Sequence, residues 1–286
     1  MKYCGRSFTA ADLELIRELI ATVPGISRFR LSREVCEQLN WCRPDGKLKD
    51  MSCRVALLRM QADGLIALPP PRNAKPVTYR ARPEIEQAVL EPPLIPPIDL
   101  DRLTVEVVVN RPNSLLWNAF IQRHHYLGHR PLPGAQLRYF VRAAGGDVVA
   151  LLGFGASAWK IRPRDECIGW TTEQRRRNLH LIVNNARFLI LPWIRCRNLA
   201  SRILALIGRR LTEDWQARYA YRPVLLETFV EKRRFTGTCY KAANWQYLGE
   251  TQGRGKLDTF HRHSAPVKSV WIYPLVRDFR RLLCEA

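Results

Sequence analysis

One carboxylate in this sequence stands where carboxylates rarely stand. Glu227 lies within the apolar run Val224–Val230, between Leu226 and Thr228. A buried acid must be paired, protonated or turned toward a cleft. It could be a metal ligand or general base, or it could be the partner of one of the many arginines. Thirteen residues on, Tyr240 could attack a phosphodiester directly, as tyrosine nucleophiles do, or simply pack on Trp245. His124 and His125 end a segment that reads as a helix, where they suit acid/base work, metal ligation or helix capping. Asp165 is a second acid, in an arginine-rich stretch. Glu227, Tyr240, His124, His125 and Asp165 form the candidate reactive set.

A second group of residues suits phosphate. Arg175, Arg176 and Arg177 are consecutive, and Arg254 and Lys256 alternate with Gly253 and Gly255, which allow close backbone approach. The P-loop context of strand, loop and helix is missing. Trp159, Trp170 and Trp245 could stack unpaired bases or fill the core. The whole chain has a formal net charge of +20, which draws in polyanions.

The elements that must hold these residues divide at residues 84–104, which carry five acidic residues, one basic residue and four prolines. Such a stretch favours an extended spacer. Residues 1–83 hold 15 Lys/Arg against 8 Asp/Glu, and residues 105–286 hold 30 against 13. The expected organisation is a winged-helix domain over 1–83, a proline-rich linker over 84–104 and an α/β domain over 105–286. In the first, Thr9 caps a helix bearing Leu13, Ile16, Ile20 and Val23 at the helical period. Ser32 caps a second. A third runs from about Leu48 to Asp63, with Val55, Leu58 and Ala62 inward. Strands at Leu65–Leu68 and Val77–Tyr79 complete a wing. Lys47, Lys49, Ser52 and Arg54 would then face the major groove, while Arg72, Lys75 and Arg80 meet phosphate or the minor groove.

From Leu103 onward, strands and helices alternate. Strands are expected at Val105–Val109, Leu137–Ala143, Val148–Phe154, Arg187–Ile194 and Val224–Val230. Helices are expected at Ser114–His124 and Leu199–Leu211, with a short helix and a last strand over 237–249. The fold class is α/β (α+β). This order resembles the GNAT acyltransferases. There, a helix N-terminus holds the pyrophosphate of acetyl-CoA, and Tyr240 falls where those proteins place their general acid. Arg195 and Ala200 fit the GNAT loop pattern, but Asn198 replaces its first glycine, so acetyl-CoA is disfavoured. If the last helix folds back as in GNAT sheets, Glu227 and Tyr240 approach one cleft.

A further resemblance is to the DruA-like family of Druantia anti-phage systems and transposable elements. It is carried by His124-His125-Tyr126-Leu127-Gly128, Asp165 with Ile168-Gly169-Trp170, and the run of residues 184–193. Asn198-Leu199-Ala200-Ser201, residues 225–230 and 237–245, Gly253-Arg254-Gly255-Lys256, Lys268 and Tyr273-Pro274-Leu275 also carry it. It implies mobile-DNA or defence biology over nearly the whole chain. The function expected is a DNA-binding protein of that type that cleaves or transfers strands on duplex or single-stranded DNA, with Mg²⁺ or Mn²⁺ as the metal to test. The rivals are a non-catalytic DNA clamp and a GNAT-type acyltransferase. No apolar run reaches the roughly 18 residues of a membrane span, and the eight cysteines are scattered outside any zinc-finger spacing. A cytoplasmic location is expected.

Overall fold

The computed structural model describes residues 1–23, 25–71, 97–132, 134–253 and 266–285. The chain divides into two units, Met1–Tyr79 and Arg80–Ala286.

In the first unit, Thr9 caps α1 (Ala10–Thr22) as expected. Its hydroxyl accepts the Asp12 N–H, and the Asp12 carboxylate accepts the Thr9 N–H, so two otherwise orphaned donors are satisfied. The cap of α2 (Arg28–Gln38) is Ser27 rather than Ser32. Ser27 accepts the Arg30 N–H, while Ser32 is buried within the helix and donates to the Phe29 carbonyl. Helix α3 (Asp50–Ala62) buries Cys53, Ala56, Leu57 and Met60. The expected stripe is displaced, with Val55 38% and Leu58 48% exposed. Apolar residues lie all around this helix, so periodicity alone did not choose its inner face. Two short strands, β1 (Lys2–Tyr3) and β2 (Arg6–Ser7), pair antiparallel around Cys4 and Gly5. Leu65–Leu68 forms no strand. Val77–Tyr79, Arg72, Lys75 and Arg80 lie outside the described residues. Among its described residues the first unit has three helices and a small N-terminal hairpin, and the expected wing is not confirmed.

The second unit is mixed α/β. Its strands are β3 (Thr104–Val107), β4 (Leu137–Arg142), β5 (Val148–Ala156), β6 (Ile182–Ile190), β7 (Leu225–Glu231), β8 (Gln246–Glu250) and β9 (Lys268–Pro274). They form one sheet in the order β3-β4-β5-β6-β7-β9-β8, in which only β6 and β7 are parallel. A parallel pair needs a crossover, and α7 (Leu199–Tyr219) supplies it, burying Ile203, Leu204, Ile207, Leu211 and Trp215. The other helices are α4 (Arg111–His124), α5 (Arg162–Ile168), α6 (Thr172–Asn178), α8 (Thr238–Ala242) and α9 (Phe279–Cys284). Strand β6 starts five residues before its expected position. The sequence reading omitted α5, α6, β9 and α9.

Candidate functional site

The site begins with one extra residue. Opposite β5, Phe188 faces Leu152 and Arg187 faces Gly153, but Asn185 faces Phe154, so Ala186 is a β-bulge. Bulges bend a strand and end its regular pairing. Strand β6 accordingly pairs with β7 only at Ile182–Leu225, Val183–Leu226 and Asn184–Glu227, just before the bulge. Beyond that point the two strands part, and a cavity of about 540 Å³ opens between them. It reaches from Ala200 in the first turn of α7 to Tyr126 and Phe235.

Side chains take over the carbonyls of the bulge. Thr228 Oγ1 donates to the Asn185 carbonyl at 3.0 Å, Arg187 Nη1 to the Ala186 carbonyl at 2.7 Å, and Asn185 Nδ2 to the Arg187 carbonyl at 3.1 Å. The Asn185 amide is thereby oriented with Oδ1 outward, where it accepts the Tyr240 hydroxyl at 2.8 Å. Tyr240 is placed by the short helix α8, and Trp245 packs edge-on against it at 5.0 Å. Gly237 starts that helix at φ 79°, with Trp271 filling the space a side chain would need. Burial pushes the Tyr240 phenol well above its ordinary value, so it keeps its proton at any physiological pH. A hydrogen bond to Tyr240 is thus the role of Asn185 inside an apolar strand.

His124 and His125 line the same cavity from the end of α4. The His124 ring meets Trp193 edge-on at 5.2 Å. His125 Nδ1 accepts the Leu127 N–H at 3.2 Å, and its ring stacks on Tyr126. Burial, then the nearby Arg187 charge, lowers its pKa to about 4, so it is neutral near pH 7 with its proton on Nε2.

Glu227 and Asp165 belong elsewhere. Side chains alternate along a strand, so Glu227 points to the face opposite Thr228 and Tyr240. It is wholly buried, accepting from the Ala158 N–H at 2.9 Å and Arg164 Nη1 at 2.8 Å. Burial raises its pKa, and the Arg164 charge pulls it back. Asp165 Oδ1 takes two bonds from Arg164 and one from Trp170 Nε1, while Oδ2 accepts the Ile161 N–H and lies 3.5 Å from Arg175. The expected approach of Glu227 to Tyr240 is therefore corrected: these acids form an internal ion-pair network, which unpaired burial of Arg164 would demand. The members of the arginine run differ in their surroundings. Arg175 is buried over Trp159, and Arg176 pairs with Glu173; Arg177 is exposed. Trp170 and Trp245 are buried, whereas Trp159 is exposed. Arg254 and Lys256 lie outside the described residues. In the first unit Lys47 is exposed, Lys49 and Ser52 are half-buried, and Arg54 pairs with Asp50 at 3.3 Å. Among the described residues, no group of three His, Cys, Asp or Glu is placed to hold a metal ion.

Residues 98–266, which contain both the bulge and Tyr240, match the family described as Druantia protein DruA. The chain belongs to the DruA family. The match leaves out the first unit, so the family relation expected over nearly the whole chain is shown for this DruA segment. Among curated proteins none matches the chain. The structure is similar to GNAT acetyltransferases. Spermidine/spermine N-acetyltransferase SpeG from Vibrio cholerae aligns at 9% identity and TM-score 0.41, over 64% of this chain and 98% of that one. The same enzyme in complex with CoA and spermine aligns at 9% and 0.41, over 61% and 96%. These neighbours are acetyltransferases, and the expected nucleic-acid strand cleavage or transfer is corrected on that finding. The divided reactive set agrees, because Glu227 and Asp165 are spent on Arg164. No helix among the described residues is long and apolar enough to cross a membrane.

Proposed function

We propose that this DruA-family protein transfers an acyl group in the cavity between β6 and β7. The observation that carries the reading is the bulge-made gap itself, a passage leading from the start of α7 to a buried, protonated phenol. An acyl donor's chain fits along such a gap, where strand backbone lacks a neighbouring strand to pair with. Tyr240 is the proton donor to the leaving group, and Asn185 and Thr228 hold it in place. Asn198, the ground for setting acetyl-CoA aside, adopts φ 62° at the start of α7. That is the left-handed conformation glycine would supply, and asparagine tolerates it.

The test is thiol release from acetyl-CoA and longer acyl-CoA donors with amine acceptors, together with thermal shift. Tyr240→Phe should lower kcat by about 10²-fold or more with little change in KM. Absence of both a shift and thiol release with every donor overturns the reading.

Duplex DNA is the partner we propose for the first unit. The basic excess of residues 1–83 and the exposed Lys47 before α3 support it, with α3 in the groove-entering place of a winged helix-turn-helix. Full-length protein should bind duplex DNA with an affinity that falls steeply with salt. A Lys47→Ala, Lys49→Ala variant that binds as tightly as wild type refutes this.

A further inference from the structure

The end of the cavity away from α7 is rich in donors. Arg187 follows the bulge directly and is half-buried, yet the partner of its guanidinium is the carbonyl of Ala186, the preceding residue. Lys268 lines the same cavity from β9. Among the described residues, neither cation has a carboxylate within ion-pair distance. Among the described lining residues the one carboxylate is Glu231, which stands opposite Lys268 in the β7–β9 pair and 3.5 Å from Arg234. Burial and the like charge of Arg130 both disfavour the Arg187 cation. His125 stands close to Arg187, and since its Nδ1 accepts from Leu127, its Nε2 carries the proton. Two cations and a neutral imidazole N–H thus line one end of a space that burial has partly dried, with Glu231 the cross-strand neighbour of Lys268. A planar guanidinium fork of this kind matches carboxylate or phosphate oxygens.

We propose that this end of the cavity is an anion subsite, in which Arg187, Lys268 and His125 Nε2–H hold the carboxylate or phosphate of a small ligand. It rests on the reading of the cavity as a ligand site and adds the charge of the molecule that enters opposite the acyl donor. A cationic ligand would face the Arg187 and Lys268 charges and is rejected. Arg187 acts here as a binding residue, and Tyr240 lies farther in.

Full-length protein is titrated at fixed ionic strength with sodium phosphate, sodium succinate and ethylammonium chloride, following the melting temperature. Because a chain of +20 attracts anions everywhere, the measured quantity is the difference between variants. Arg187→Gln is compared with Arg209→Gln, which removes an exposed charge from α7. The expected result is stabilisation by at least one anion in wild type and Arg209→Gln, with the apparent Kd at least tenfold weaker in Arg187→Gln. Phosphate alone, or succinate alone, identifies the head group. Lys268→Gln should weaken the same anion, and this variant decides the matter if Arg187→Gln does not fold. Equal stabilisation in all variants, or stabilisation by ethylammonium, overturns the proposal. S-acetylpantetheine, which is uncharged, separates the two readings. If it and every acyl-CoA donor give neither a shift nor thiol release while the anion effect still needs Arg187, acyl transfer falls and the anion subsite stands. If it binds while the anion effect ignores Arg187, only the subsite falls.

Discussion

Replacing Glu227 with leucine tests whether this acid is structural. The wild-type side chain makes two hydrogen bonds, to Ala158 N–H and to Arg164 Nη1, and both it and Arg164 are fully buried. The variant leaves the guanidinium with Asp165 and the Ala158 carbonyl, and without its second counter-charge. Breaking a buried pair from one side costs about 3–5 kcal/mol. For a unit of this size each kcal/mol lowers Tm by about 2–4 °C, so a fall of roughly 6–20 °C is expected. Replacing both partners, as Arg164→Met with Glu227→Leu, removes the stranded charge. Asp165 keeps Trp170, the Ile161 N–H and Arg175. The double variant should therefore return to within about 2 kcal/mol of wild type. Urea unfolding of wild type, both single variants and the double variant gives the full cycle. A Glu227→Leu cost below about 1 kcal/mol would refute the pairing argument. So would a Glu227→Gln variant of unchanged stability that has lost thiol release, since that would make Glu227 a functional acid after all.

Three more outcomes follow from the geometry. His125 is held at a pKa of about 4 against 6.5 in the unfolded chain, so unfolding takes up a proton between those values. Its stabilising effect is complete above pH 6.5 and is lost as pH falls toward 4, by about 2 kcal/mol once its partial exposure is discounted; His125→Asn should flatten that part of the stability–pH curve. Gly237→Ala forces a left-handed residue and sets a methyl 2.8 Å from Trp271, so urea unfolding should show a loss of about 2–4 kcal/mol. Thr9→Ala removes the α1 capping box and should lower stability by about 1 kcal/mol in the same assay.

Short-range signals were legible in the sequence, and long-range ones were not. The Thr9 cap, the α7 start at Leu199 and the β4–β5 pair around Gly145 and Gly146 each depend on residues a few positions apart. The caps Ser27 and Ser32 could not be told apart locally, because the burial that removes Ser32 from consideration comes from tertiary packing. Helices α5 and α6 are short and arginine-rich, and they look like surface until Arg164 and Arg175 are seen pairing with Asp165. The alternative reading of Glu227, as the partner of an arginine, could not name Arg164, 63 residues away. The two histidines were singled out at the end of a helix, and Tyr240 from its place in the GNAT-like order. Arg187 was missed because a single arginine in a strand carries no spacing signal, and the bulge that exposes it shows only in the register against β5.

That register makes the cavity sensitive to chain length. Ala186 is the one residue by which β6 exceeds what its pairing with β5 requires. Deleting it would let β6 run straight past Asn184, and the hydrogen bonds now lacking a strand partner could close onto β7 like a zipper. The same deletion would leave the β5 partners of Asn185 and of Arg187 through Ile190 unchanged, so those side chains would keep their faces while the bend between them is lost. An insertion or deletion at this single position would thus switch the domain between an open sheet and a sealed one without altering any side chain's identity, which makes it a natural hinge for divergence among related chains.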